Sequence, residues 1–214
     1  MAIVLDIHDF PLFIITGVLL NLTPGPDMLY IIGRSTAQGM RAGAAAALGI
    51  GAGCLVHILA AVLGLSALLT ASAAAFTLIK IIGAVYLVYL GISLLITSDT
   101  RRQGVPGGGL VPDTVRAVFI QGFFTNVLNP KVALFFLAFV PQFIDTDASH
   151  KALAFLILGL VFNCNGTVLN LIVAWFAART GAVLKGGRFI TWVNRCIGGF
   201  FVYLGIRLAL DERN

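Results

Sequence analysis

Asp27 is the first residue whose type and place point to chemistry. It stands inside an apolar run, directly after Asn21-Leu22-Thr23-Pro24-Gly25-Pro26. A carboxylate at membrane depth is costly, and such groups usually mark a substrate or ion pathway. Two prolines and a glycine cannot continue a helix interior without losing backbone hydrogen bonds. The competing reading makes Pro24 and Pro26 the end of a short re-entrant segment and Asp27 the N-cap of the next helix. A second break lies at Asn126-Val127-Leu128-Asn129-Pro130-Lys131. Lys131 falls mid-span, where it either snorkels to the interface or faces an interior site. Asp27 and Lys131 either meet a ligand or neutralise each other.

Broken helices offer two kinds of chemistry. A new N-terminus presents free N–H groups that attract anions, and a new C-terminus presents carbonyls that attract cations. A zwitterion such as an amino acid needs both. Its carboxylate would use a half-helix N-terminus and Lys131, and its ammonium would use Asp27 and the carbonyls near Asn21. Further along, Gly159, Asn163, Gly166 and Asn170 share one face at helical spacing, as do Gly49, Gly53 and His57. Close helix packing is the better reading of the glycines. Asn163 and Asn170 suit packing and pathway lining equally. His57 could relay protons, although a lone histidine is more often a packing residue. Tyr86 and Tyr89 read as core.

These residues need elements to position them, and composition decides the kind. Hydrophobic residues make up 59% of the 214 and charged residues 11%, with a mean hydropathy of +0.99. Soluble domains carry about 25% charged residues. The chain therefore reads as an all-α integral membrane protein of about six transmembrane helices. The first span runs from about Phe10 to Ile32, broken at Pro24-Gly25-Pro26. Ala42 to Ile79 carries no charge, is too long for one span, and is expected to turn within Thr70 to Ala75. The third span then continues to Ile96. Thr97 to Thr114 is polar, with Arg101, Arg102 and Pro106-Gly107-Gly108-Gly109, and is the connector. The fourth span is Val115 to Val140, broken at Asn129-Pro130-Lys131. The fifth is Ala152 to Ala178 and the sixth about Phe189 to Leu210.

The two halves repeat. Val88-Tyr89-Leu90-Gly91-Ile92 returns as Val202-Tyr203-Leu204-Gly205-Ile206, and Gly17-x-x-x-Asn21 as Gly122-x-x-x-Asn126. Leu48-Gly49 and Cys54 can be set against Leu158-Gly159 and Cys164. Repeat one covers about 1–97, the connector 98–114, and repeat two 115–214, all in one transmembrane domain. Each half has three spans, so the second enters the membrane inverted, as in many secondary transporters.

The net charge of +5 does not indicate nucleic acid, because the basic residues lie at the ends of apolar runs. Arg34 and Arg41 flank the first connection, Arg101, Arg102 and Arg116 the third, and Arg179, Lys185, Arg188 and Arg195 the fifth. The positive-inside rule places these connections in the cytoplasm and both termini outside. A five-span chain with an internal N-terminus is the competing topology. Met1 to Phe10 has no basic residue, so the first apolar segment is expected to remain in the mature protein.

Cys54, Cys164 and Cys196 lie in apolar segments without CxxC spacing and read as small buried residues. Cys54 and Cys164 fall at matching repeat positions, which leaves a membrane thiol–disulfide oxidoreductase as a disfavoured alternative. No residues stand at metal-ligand spacing, and nothing calls for a cofactor. Two pseudo-symmetric breaks suit an occluding site better than a channel. Gly39-x-x-x-Gly43 and Gly49-x-x-x-Gly53 permit close contacts within one chain or in a homo-oligomer.

The two break motifs together, Asn21-Leu22-Thr23-Pro24-Gly25-Pro26-Asp27 and Gly122-Phe123-Phe124-Thr125-Asn126-Val127-Leu128-Asn129-Pro130-Lys131, resemble those of the lysine exporter and homoserine/threonine efflux (LysE/RhtB) superfamily. Chain length, the basic connector and the repeated Tyr-Leu-Gly-Ile are similar too, so the resemblance covers essentially the whole chain. It implies a prokaryotic cytoplasmic-membrane exporter of amino acids, not an enzyme, driven by the proton gradient. It singles out Asn21, Pro24, Gly25, Pro26, Asp27, Asn126, Asn129, Pro130 and Lys131. A single acid at membrane depth favours neutral substrates such as threonine, homoserine or leucine. Basic amino acids or another small solute are the alternative.

Overall fold

A computed structural model describes residues 7–65, 73–96, 113–145, 148–180 and 188–210. These residues are almost wholly helical. Helix α1 (Phe10–Leu22) and α2 (Pro26–Gln38) are the two arms of the first broken element and meet at 52°. Helix α3 (Met40–Ala60) continues through a π-helical turn, Ala61–Leu65. Helix α4 is Ala73–Ile96. Helix α5 (Val115–Val127) is the first arm of the second broken element. Its second arm, at 46°, starts as α6 (Pro130–Leu134) and runs on through a π-helical turn, Phe135–Phe139, and a 3-10 turn, Val140–Phe143. Helices α7 (Lys151–Thr180) and α8 (Arg188–Leu210) complete the described chain.

By length and apolar character, Met40–Gly64 and Lys151–Arg179 can each cross a membrane, as can each bent pair taken as one span. Among the described residues this gives two to four spans rather than the expected six: helices α4 and α8 have 24 and 23 residues, but the apolar stretch of α4, Ile81–Ile96, is shorter than a span and α8 does not count as one. Polarity runs opposite to that of a soluble protein. Leu63, Val85, Leu128 and Trp192 are exposed, whereas Thr16, Thr23, Arg34, Ser35, Asn126, Asn129 and Asn170 are buried. An apolar exterior around polar interior groups is the arrangement that lipid as solvent selects.

The expected breaks at Pro24-Gly25-Pro26 and before Pro130 are both present. Of the expected turn at Thr70 to Ala75, the first three residues lie outside the described residues and Ala73–Ala75 are helical. Most of the connector, 97–112, also lies outside them.

Four expectations need correction. The first broken element does not end near Ile32: α2 stays helical to Gln38, where Gly39 at φ 79° turns the chain, and Arg34 is a buried residue of that helix. Tyr89 is not core; it and its repeat partner Tyr203 are exposed on the apolar exterior. Of the cysteines only Cys54 is buried, and Cys164 and Cys196 are exposed, since each sits on the outward face of its helix. Asp27 is not the N-cap of α2, because Gly25 holds that position and Pro26 follows it.

Reciprocal contacts relate the halves. A Cβ on Gly91 would lie 2.6 Å from the Gly198 carbonyl oxygen and 2.8 Å from the Val202 nitrogen. One on Gly205 would lie 2.8 Å from the Ala84 oxygen and 3.0 Å from the Val88 nitrogen. Gly91 and Gly205, Val88 and Val202, and Ala84 and Gly198 have the same sequence separation, so the α4–α8 crossing is two-fold in character. A Cβ on Gly166 would meet Asn21 at 3.0 Å, and one on Gly53 would meet Asn126 at 3.0 Å. Three of the four glycines in the two small-residue motifs serve contacts within the chain: Gly43 lies against Ser35 and Ala174, Gly49 against Phe119, and Gly53 against Phe123, whereas Gly39 meets nothing and turns the chain.

An aromatic cluster braces the second broken element. The Phe135 ring stacks on Phe162 with centroids 4.4 Å apart, and Phe143 meets Phe13 and Phe139 edge-on at 5.3 and 4.9 Å.

Candidate functional site

A helix end leaves carbonyls without intrahelical donors, and in an apolar interior each needs another partner. At the end of α1 the partner comes from the opposite repeat. The Lys131 ammonium donates to the Leu20 carbonyl at 3.0 Å and to the Thr23 carbonyl at 2.9 Å. Its stem passes over Gly25, where an added Cβ would lie 3.4 Å from Nζ. At the end of α5 the arrangement recurs with a different side chain. The Asn126 carbonyl accepts from the Asn129 N–H at 2.9 Å, and His57 Nε2 lies 3.0 Å from it. Each broken helix is thus capped at its C-terminal end by a nitrogen-bearing side chain from elsewhere in the fold.

The starts of the second arms are built for the same purpose. Asn129 is the N-cap of α6, and its side-chain oxygen accepts from the Lys131 N–H at 3.0 Å. Pro130 and Pro26 occupy first-turn positions, where a missing N–H costs nothing. Asp27 stands in the first turn of α2 and accepts from Asn126 Nδ2 at 2.8 Å. The first element's acid is therefore held by the second element's asparagine, and the second element's lysine by the first element's carbonyls.

Several polar atoms around the breaks are buried without a protein partner: Asp27 Oδ1, Asn21 Nδ2 and Asn126 Oδ1. They surround one cavity. Its polar wall includes Asn21, Asp27, Asn126, Lys131, Asn163 and Asn170, and its apolar wall includes Leu20, Met28, Ile50, Cys54, Val132 and Phe162. The cavity measures about 20 Å³, enough for one or two waters. A small-molecule pocket takes about 300 Å³ or more, so the helices are closed on the site.

Among the residues singled out from sequence, Asn21, Asp27, Asn126, Lys131, Asn163 and Asn170 line this cavity. Pro24, Gly25, Pro26, Asn129 and Pro130 build the breaks behind it. His57 lies outside the lining, on the Asn126 carbonyl and stacked against Phe136. Thr23, Thr167, Cys54 and Phe162 also line the cavity, and sequence reasoning does not single them out as site residues. Thr167 and Phe162 share a helix with Asn163, and their spacing from it holds the signal.

Sequence reasoning also misses a polar network at the far end of α2. Arg34 Nη2 bonds Asp113 at 2.6 Å and Gln121 at 2.7 Å, and Nη1 bonds Gln38 at 2.9 Å. Tyr30 donates to the Val118 carbonyl at 2.9 Å, and Gln38 to the Asp113 carbonyl at 2.8 Å. A basic residue near the end of an apolar run reads as a topology marker, which hides this second role.

Comparison with known proteins agrees with this geometry. The chain is 32% identical over 210 residues to an uncharacterized membrane protein of Vibrio cholerae, covering 96% of this chain and 98% of that one. It is 29% identical over 201 residues to the leucine efflux protein of Salmonella typhimurium, covering 92% of each. The leucine efflux protein of Enterobacter sp. is 27% identical over 202 residues, covering 94% of this chain and 95% of that one. No solved structure matches the chain. The family model of LysE type translocators matches residues 18–212, which take in both breaks and every cavity-lining residue. The chain belongs to the LysE type translocator family.

Proposed function

We propose that this protein exports neutral amino acids of the leucine type across the bacterial cytoplasmic membrane, in exchange for protons. The observation that carries the proposal is a cavity holding one carboxylate and one ammonium, each bonded to other groups, between two broken helices. A zwitterion fits such a site. Asp27 has a free Oδ1 for the substrate ammonium. Lys131 spends two of its three N–H donors on α1, which leaves one for the substrate carboxylate. Asn21 and Asn126 contribute further hydrogen bonds. Met28, Ile50, Val132 and Phe162 form an apolar wall suited to an aliphatic side chain, in keeping with the leucine efflux function named for two relatives.

Asp27 is also the group on which proton coupling rests. Protonation releases the substrate ammonium and weakens the bond from Asn126, and deprotonation prepares the site for another substrate. The basic connections face the cytoplasm and both termini face outward in this reading. Bacterial cells fed dipeptides test the proposal, with Asp27→Asn compared to the wild type at matched membrane levels. Aliphatic amino acids are expected outside the wild-type cells only. Equal amounts outside both strains contradict it.

A further inference from the structure

We propose that Arg34, Asp113, Gln121 and Gln38 form the latch of the cytoplasmic gate. It rests on the transport reading but not on the substrate's identity. Helices α2 and α5 run antiparallel and are tied at both ends. At one end Asn126 holds Asp27 beside the cavity. At the other, Arg34 joins the two helices through Asp113 and Gln121. Between these ties lies a layer of fully buried apolar side chains, including Ile31, Ala46, Val118 and Ala174, which runs up to Ile50 on the cavity wall. The layer blocks passage, and the latch holds it shut.

The latch has properties that distinguish it from incidental surface pairing. The Arg34 side chain is only 6% exposed, and its guanidinium reaches three side chains on two elements. A buried arginine without partners would be strongly unfavourable, so breaking the network requires water to enter. Opening the gate and hydrating the layer below it are therefore one event.

The opposite end is built differently. There the residues before α1 meet the end of the second broken element through an isolated bridge between Ile7 and Ile144 and a His8 N–H bond to the Phe143 carbonyl at 3.1 Å. The nearby contacts of His8 with Asp145 and of Arg207 with Asp9 are each 3.9 Å long, between side chains 30–54% exposed. Exposed pairs contribute little. The two ends share a plan, but among the described residues only the α2–α5 end carries a buried charged network.

Cys54 lines the cavity and supplies a native reporter once Cys164 and Cys196 are replaced by serine. Its alkylation by a membrane-impermeant maleimide would be followed in inside-out and right-side-out vesicles. Asp113→Asn keeps the side-chain shape at a partly exposed position and removes the charge that Arg34 faces. Gln38→Ala weakens the same network from α2 and serves if the first variant does not fold. Labelling from the cytoplasmic face is expected to rise about tenfold in either folded variant, the order expected for losing one hydrogen bond to a charged group, with outer-face labelling unchanged. Unchanged labelling, or an equal rise from both faces, would overturn the gate. Labelling that rises as expected in the variants while the wild type exports no amino acid retains the gate and removes the substrate assignment.

Discussion

At the residue scale, the site joins two charges that stand out in the sequence, through contacts that the sequence does not supply. Asp27 and Lys131 are legible because an ionised group inside an apolar run is too costly to persist without a use. Their partners are not legible, because Asn126 and the Leu20 and Thr23 carbonyls lie far away along the chain. Lys131→Met is expected to cost more than substrate binding. It also removes the donors on the α1 carbonyls, so its thermal stability in detergent should fall along with its transport. Asp27→Asn keeps a polar group in place and should lose transport with a much smaller change in melting temperature. Gly39 carries a different constraint. With φ 79° and ψ −173° it occupies a region that is essentially glycine's alone, so Gly39→Ala should cost about 1–3 kcal/mol, read from detergent-solubilised unfolding. Gly25, at φ −169°, is in extended backbone that any residue adopts, and Gly25→Ala should be milder.

At the element scale, helix positions follow from apolar run length, and the breaks follow from proline. Helix crossings do not, because the small residues that permit them recur too often to select a register. Gly49 illustrates the point. Its place on one face of α3 is visible in the sequence, but its neighbour, the backbone of Phe119, is not. A Cβ there would overlap that carbonyl oxygen, and backbone cannot swing aside as a side chain can. Gly49→Ala should therefore separate α3 from α5 and cost at least the about 1–3 kcal/mol typical of overpacking. Gly64→Ala, with open space around it, is the control in the same unfolding measurement.

At the scale of the whole molecule, two related halves cross so that each broken helix is completed by the other half. The cavity at the crossing is nearly closed, sealed toward one end by the aromatic cluster and toward the other by the apolar layer under Arg34. Hydrogen bonds from Gln121 and Arg34 hold the Asp113 carboxyl below its ordinary value of 3.8. A depressed value means the latch is favoured above the ordinary value and lost only as pH falls through the lowered one. The ratio of Cys54 labelling from the cytoplasmic face in Asp113→Asn to that in its parent, in which the thiol's own pH dependence cancels, should thus stay flat between about pH 5 and pH 8, with the Asp113 contacts to Arg34, Gln121 and Gln38 intact in the parent. A pH dependence of transport in that window then belongs to the cavity. If opposite charges at the crossing grip a zwitterion as proposed, counterflow of labelled leucine in proteoliposomes depends on both charges of a competitor. Leucine, leucinamide and 4-methylpentanoate would be compared as competitors. Leucine alone should suppress counterflow, because only it offers both an ammonium to Asp27 and a carboxylate to Lys131. Equal suppression by the amide or the deaminated acid would contradict the two-charge site.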